Sequence, residues 1–195
     1  TGTIKLVDSS LAFSKVSIEV GNMRATPDSN GNFRLNGLVT PGSHTLTIKV
    51  ASDGYRTMTR GFSVYDTRPY IALGSMNFGP NLSMAMSTSS TKIELGGTME
   101  DTVNISNSGY GPANQVEMYT SPALPDGVRF ISAEVIGSKL SNYNTPTKGG
   151  IEDNCNITPE TKILDCKYLG TLGGGQTTQM KVVVGFNATT INVGG

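Results

Sequence analysis

Val16-Ser17-Ile18-Glu19-Val20 alternates apolar and polar residues without a break. A strand with one buried face reads this way, because successive side chains point to opposite sides of the backbone. A helix would instead space its apolar residues three and four apart. The period of two returns in Ile4/Leu6, Phe33/Leu35 and Leu46/Ile48/Val50. It recurs in Leu82/Met84/Met86, Met99/Val103/Ile105, Val116/Met118, Val128/Phe130 and Met180/Val182/Val184/Phe186. Turn formers separate the early runs: Asp28-Ser29-Asn30-Gly31-Asn32, Thr40-Pro41-Gly42 and Ser52-Asp53-Gly54. Asn30-Gly31 between two such runs predicts a hairpin, since a type I′ turn needs positive φ at both central positions. Many short strands about ten residues apart predict antiparallel sandwiches. The expected fold class is all-β.

The chain has 195 residues, enough for one large domain or two small ones. Charged residues make up 15%, against about 25% in an ordinary soluble domain. Fifteen basic and fifteen acidic residues cancel, which argues against a nucleic-acid partner. No apolar run approaches the ~18 residues of a membrane-spanning helix, so no membrane span is expected. Thr1 is not an initiator methionine, and the start is read as a processed terminus or a fragment boundary. After a strand expected at Tyr70/Ile71, Leu73-Gly74-Ser75-Met76-Asn77-Phe78-Gly79-Pro80 reads as a linker, placing domains at 1–79 and 80–195. Residues 1–80 hold eight basic and five acidic residues, for +3; residues 81–195 hold seven and ten, for −3.

Gly2-Thr3-Ile4, Val16-Ser17-Ile18, Asp28-Ser29-Asn30-Gly31-Asn32-Phe33, Gly37-Leu38, Pro41-Gly42-Ser43-His44-Thr45-Leu46 and Gly54-Tyr55 carry a resemblance. In order and spacing they resemble the carboxypeptidase regulatory-like (prealbumin-like) domain, which implies a seven-stranded sandwich over residues 1–79. A second set runs through Asp101-Thr102-Val103-Asn104-Ile105-Ser106-Asn107-Ser108-Gly109 and Ala123-Leu124-Pro125-Asp126-Gly127-Val128-Arg129-Phe130-Ile131-Ser132-Ala133. It closes with Leu169-Gly170-Thr171-Leu172-Gly173-Gly174-Gly175-Gln176-Thr177-Thr178. This set resembles the DUF-eleven repeat of bacterial and archaeal surface proteins, implying an immunoglobulin-like sandwich within long extracellular chains. Together the resemblances imply two tandem immunoglobulin-like/prealbumin-like antiparallel β-sandwich domains. The second resemblance supplies no catalytic residues.

Cys155 and Cys166 flank a Thr158-Pro159-Glu160 turn. A hairpin there would bring them to disulfide distance, and the alternative is a pair of reduced core thiols. A disulfide would point to an extracellular or cell-surface location. Asn81, Asn104, Asn156 and Asn187 begin Asn-x-Ser/Thr sequons, which permit glycosylation in a chain this rich in Asn, Ser and Thr without indicating it. Asn104 alternates with Val103 and Ile105 and is expected to face solvent. Asp28–Asn32 lacks the twelfth-position Glu and the flanking helices of a calcium loop, so it reads as a turn. Gly173-Gly174-Gly175 lacks the Gly-Lys-Ser/Thr of a phosphate loop. His44 is the sole histidine and reads as an exposed residue at a strand start. Glu100-Asp101 and Glu152-Asp153 are sequence neighbours, which a strand points to opposite faces. No catalytic, cofactor-binding or metal residue is assigned, and no enzyme is expected.

The expected function is a structural subunit of a cell-surface fibre, pilus-like filament or surface layer. Its partners are other copies of itself, joined head to tail through the opposed charges or by strand addition. Apolar residues of the terminal segments, Ile4, Leu6, Phe186, Ile191 and Val193, are the candidate donors, unless both segments belong to their own domains. The alternatives are an adhesin or glycan-binding module, with cell-surface glycans or other surface proteins as partners, and a passive spacer. Sugar platforms need clustered aromatics, yet there is no Trp and the seven Tyr are scattered.

Overall fold

The computed structural model describes residues 1–8, 10–65, 70–89, 94–121, 124–136, 140–141, 155–158, 162–167 and 169–186. It is all-β, with five sheets among these residues. The chain divides into two compact units. Unit 1 comprises Thr1–Asn81 with two further segments, Asn107–Ala113 and Gly173–Gly175. Unit 2 holds Leu82–Ser106, Asn114–Leu172 and Gln176–Gly195.

Unit 1 contains β1 (Gly2–Leu6), β2 (Val16–Val20), β3 (Met23–Ala25), β4 (Asn32–Phe33), β5 (Gly42–Val50), β6 (Met58–Val64) and β7 (Ser75–Phe78). One sheet runs β4-β1-β7 and the other β3-β2-β5-β6. Their inward residues share one core: Ile4, Phe33, Met76 and Phe78 from the first, Val16, Ile18, Leu46 and Ile48 from the second. Each comes from an alternating run, so the pattern that makes the strand also makes the core. β1 lies between two neighbours, and Ile4 is buried. The N-terminal segment is therefore a central strand of its own domain.

Three local readings change. Residues 73–80 contain β7, which pairs with β1 in parallel, Ile4 opposite Met76 and Leu6 opposite Phe78. Its two apolar residues were masked by surrounding Gly, Pro and small polar residues. Tyr70 and Ile71 lie outside any strand. The Asp28–Asn32 turn is also not a hairpin, because β3 and β4 belong to different sheets. Asp28 Oδ1 accepts the backbone N–H groups of Asn30 and Asn32, each at 2.9 Å, and carries the chain across. Only Gly31 there has positive φ, +81°. A Cβ at Gly31 would meet the Ile4 carbonyl oxygen at 2.2 Å. The tight hairpin is instead at Gly21-Asn22, closing Val20 against Met23 with Gly21 at φ +55°.

Unit 2 contains β8 (Leu82–Thr88), β9 (Thr98–Asn107, whose last residue belongs to unit 1), β10 (Met118–Tyr119), β11 (Val128–Ile136), β12 (Leu140–Ser141), β13 (Cys155–Thr158), β14 (Ile163–Cys166), β15 (Thr171–Leu172) and β16 (Thr177–Phe186). Its main sheet runs β11-β16-β9-β8, a second runs β10-β14-β13, and β12 pairs with β15. Val103, Ile105, Phe130, Ala133, Met180, Val182 and Val184 are the buried apolar residues of the main sheet. Phe186 ends β16 opposite Val128 and so belongs to this sheet too; Ile191 and Val193 lie outside the described residues.

Candidate functional site

Cys155 and Cys166 are directly opposite each other on β13 and β14, with Cα atoms 3.9 Å apart, and are joined by a disulfide. Both are buried. Alternation explains the placement: on β14 Leu164 and Cys166 face inward together. Burial removes the bond from contact with aqueous thiols. The Pro159-Glu160 turn expected between them lies outside the described residues.

The sequons differ in what holds them. Asn81 is exposed, but its Nδ2 donates to Ser108 Oγ at 2.9 Å and its backbone N–H to Asn107 Oδ1 at 3.0 Å. Asn104 is half-buried rather than facing solvent freely, because Gln179, directly opposite on β16, donates to its Oδ1 at 2.8 Å. Asn156 is exposed on β13. Asn187 lies outside the described residues.

Other residues weighed for chemistry are tied into the scaffold. Asp28 is held below the usual carboxylate range, first by the backbone N–H of Asn32. His44 Nε2 lies 2.7 Å from the Thr40 carbonyl, and the ring packs on Phe62 at 5.7 Å between centroids. Glu100 pairs with Lys181 at 2.6 Å, and the hydrogen bond between them raises the Lys181 ammonium. Gly174 donates its N–H to the Gly54 carbonyl at 2.7 Å, so the glycine run serves as a turn within unit 1. Glu152 and Asp153 lie outside the described residues. Among the described residues no three His, Cys, Asp or Glu side chains cluster so as to hold a metal. A shallow depression of about 480 Å³ in unit 1 is lined by Thr3, Asn32, Phe33 and Arg34, where Thr3 Oγ1 already donates to Asn32 Oδ1 at 3.1 Å.

Asp101, Asn107 and Thr178 are buried polar residues, a placement the sequence alone does not predict. Asn107 Oδ1 accepts the N–H groups of Asn81 and Gly109, each at 3.0 Å, while its Nδ2 donates to the Gly111 carbonyl at 2.9 Å. One side chain thus fixes the Asn107–Ala113 turn of unit 1, where the Arg56 guanidinium also lies over the Tyr110 ring at 4.4 Å. Asp101 is buried on β9, and among the described residues its Oδ1, like Thr178 Oγ1 on β16, has no hydrogen-bond partner. Burial raises its carboxyl above the ordinary value. Asp101 and Asn107 are in phase with Val103 and Ile105 on β9.

No family model matches the chain, and no curated protein matches it either. Among solved structures, the chain is similar to the "Putative membrane anchored protein from Corynebacterium diphtheriae", at 13% sequence identity and a TM-score of 0.34. The match covers 90% of this chain and 44% of that one, so the chain spans less than half of its neighbour's length. No helix among the described residues is long and apolar enough to cross a membrane.

Proposed function

We propose that this chain is a non-enzymatic structural subunit of a cell-surface fibre, filament or layer, located outside the cytoplasm and assembled with copies of itself. The observation that carries the reading is the buried Cys155–Cys166 bond, since such bonds persist in oxidising, extracytoplasmic compartments. Asp28, His44 and Glu100 support it, because each is occupied in a turn, a ring contact or an ion pair that serves the scaffold. The +3 and −3 halves support a head-to-tail contact, since they attract at close approach, and such a contact polymerises where it does not close into a ring. The resemblance of the two halves to prealbumin-like and surface-repeat domains fits the same role. Immunogold labelling of intact producing cells tests it, with label expected on fibres or a layer outside the cell. Label confined to the cytoplasm overturns it. Specific signal on a glycan array would favour a glycan-binding module instead.

A further inference from the structure

The two edges of the main sheet in unit 2 are finished differently. At one edge, β11 carries a bulge between Phe130 and Ser132 and the charges of Arg129 and Glu134. Bulges and charges of this kind keep an edge from pairing with another chain. At the other edge, β8 is a seven-residue strand, and the stretch 80–89 around it contains no charged residue.

Two bonds fix how β8 meets β9. Ser108 N–H donates to the Asn81 carbonyl, and Ser89 N–H donates to the Glu100 carbonyl. The intervals are equal on the two strands, so they run antiparallel in unbroken register, with Met84 opposite Ile105 and Met86 opposite Val103. Residues directly opposite share a face of the sheet. Ile105 and Val103 are buried, so Leu82, Met84 and Met86 lie on the core face as well. Yet they are 48%, 64% and 64% exposed. Among the described residues, the core face continues past the core and ends in an uncovered apolar stripe. The same register turns the N–H and C=O groups of Leu82, Met84, Met86 and Thr88 toward the open edge.

We propose that β8 pairs edge to edge with β8 of a second copy, antiparallel about a two-fold axis at Ala85. This names one contact of the self-assembly read above and rests on that reading. In this register Met84 faces Met86 of the other copy, Leu82 faces its Thr88, and the outward-turned backbone groups bond to one another. The two stripes become one, on one face of a continuous sheet. Charge favours a second copy as occupant: a two-fold contact sets this stretch against itself, and because residues 80–89 carry no charge, no like charges meet there. Area sets the strength. A seven-residue strand is ~23 Å long and falls short of the ~1,000 Å² of a stable dimer interface. A single contact is therefore weak, and it becomes firm when head-to-tail polymers lie side by side and many contacts act together.

Ala85→Cys tests the register. At the two-fold axis the two introduced thiols meet, so mild oxidation should give a reducible dimer, while Glu134→Cys on β11 should not. Adding Met84→Lys and Met86→Lys sets like charges opposite each other and should lower the dimer yield at least tenfold. Both side chains are exposed, and an unchanged melting temperature would confirm that the fold is retained. In electron micrographs, polymers of the double Lys variant should be single rather than paired. No crosslink in the Ala85→Cys variant, or a crosslink indifferent to the lysines, overturns the β8 contact even where polymers form normally. A chain that neither polymerises nor crosslinks overturns both the contact and the assembly it rests on.

Discussion

Asp101 lies directly opposite Val182 in the ladder between β9 and β16, and its buried Oδ1 has no hydrogen-bond partner among the described residues. Burial disfavours the carboxylate, so the folded chain holds this proton above the ordinary value of 3.8. Between that value and the raised one, the folded state binds more protons than the unfolded state, and stability falls as pH rises. Asp101→Asn keeps the shape and removes the charge. It should stabilise the protein at pH 7 and flatten the pH dependence just above pH 4. Urea midpoints of both proteins across that range check this; a lower midpoint for the variant at pH 7 would contradict it.

The Cys155–Cys166 bond closes a loop with a sequence separation of 11. On the chain-entropy model, closing so short a loop stabilises by about 3 kcal/mol. Replacing both cysteines by Ser should lower stability by that amount. Intact mass with and without reductant should differ by two hydrogen atoms. Alkylation of both thiols in unreduced, denatured protein would refute the bond.

Asn107→Ala removes the acceptor for two backbone N–H groups and the donor to Gly111. Groups left unpaired at a buried site carry their full desolvation penalty. The loss should be about 2–4 kcal/mol in chemical denaturation. An effect below the error of the measurement would show that water replaces the side chain there.

Gly31→Ala forces a side chain into positive φ and against the Ile4 carbonyl. Because the neighbour is backbone of a central strand, it cannot swing aside. A cost of at least about 2 kcal/mol is expected in thermal melts. A neutral substitution would mean that the crossing between the two sheets of unit 1 is more pliable than its geometry implies.

The strands were legible wherever several apolar residues alternated: Val16/Ile18/Val20 and Met180/Val182/Val184 lie in β2 and β16 with those residues buried. Period two identifies a face, and burial then follows. It does not say what covers the face. Leu82/Met84/Met86 alternate as cleanly as Val16/Ile18/Val20, yet β8 ends the sheet and its stripe stays exposed. β7 was lost because four residues give only Met76 and Phe78 as signal. The Asn30-Gly31 turn was seen, but a turn motif does not reveal whether its two strands belong to one sheet. Cys155 and Cys166 were legible as a candidate pair from spacing, whereas their burial depended on the packing of β13 and β14.

The most direct test of a self-assembling structural subunit is negative-stain electron microscopy of material isolated from producing cells under non-denaturing conditions. Self-assembly predicts ordered polymers or a lattice whose repeating unit contains this chain. Dispersed single particles accounting for all of it would contradict that role.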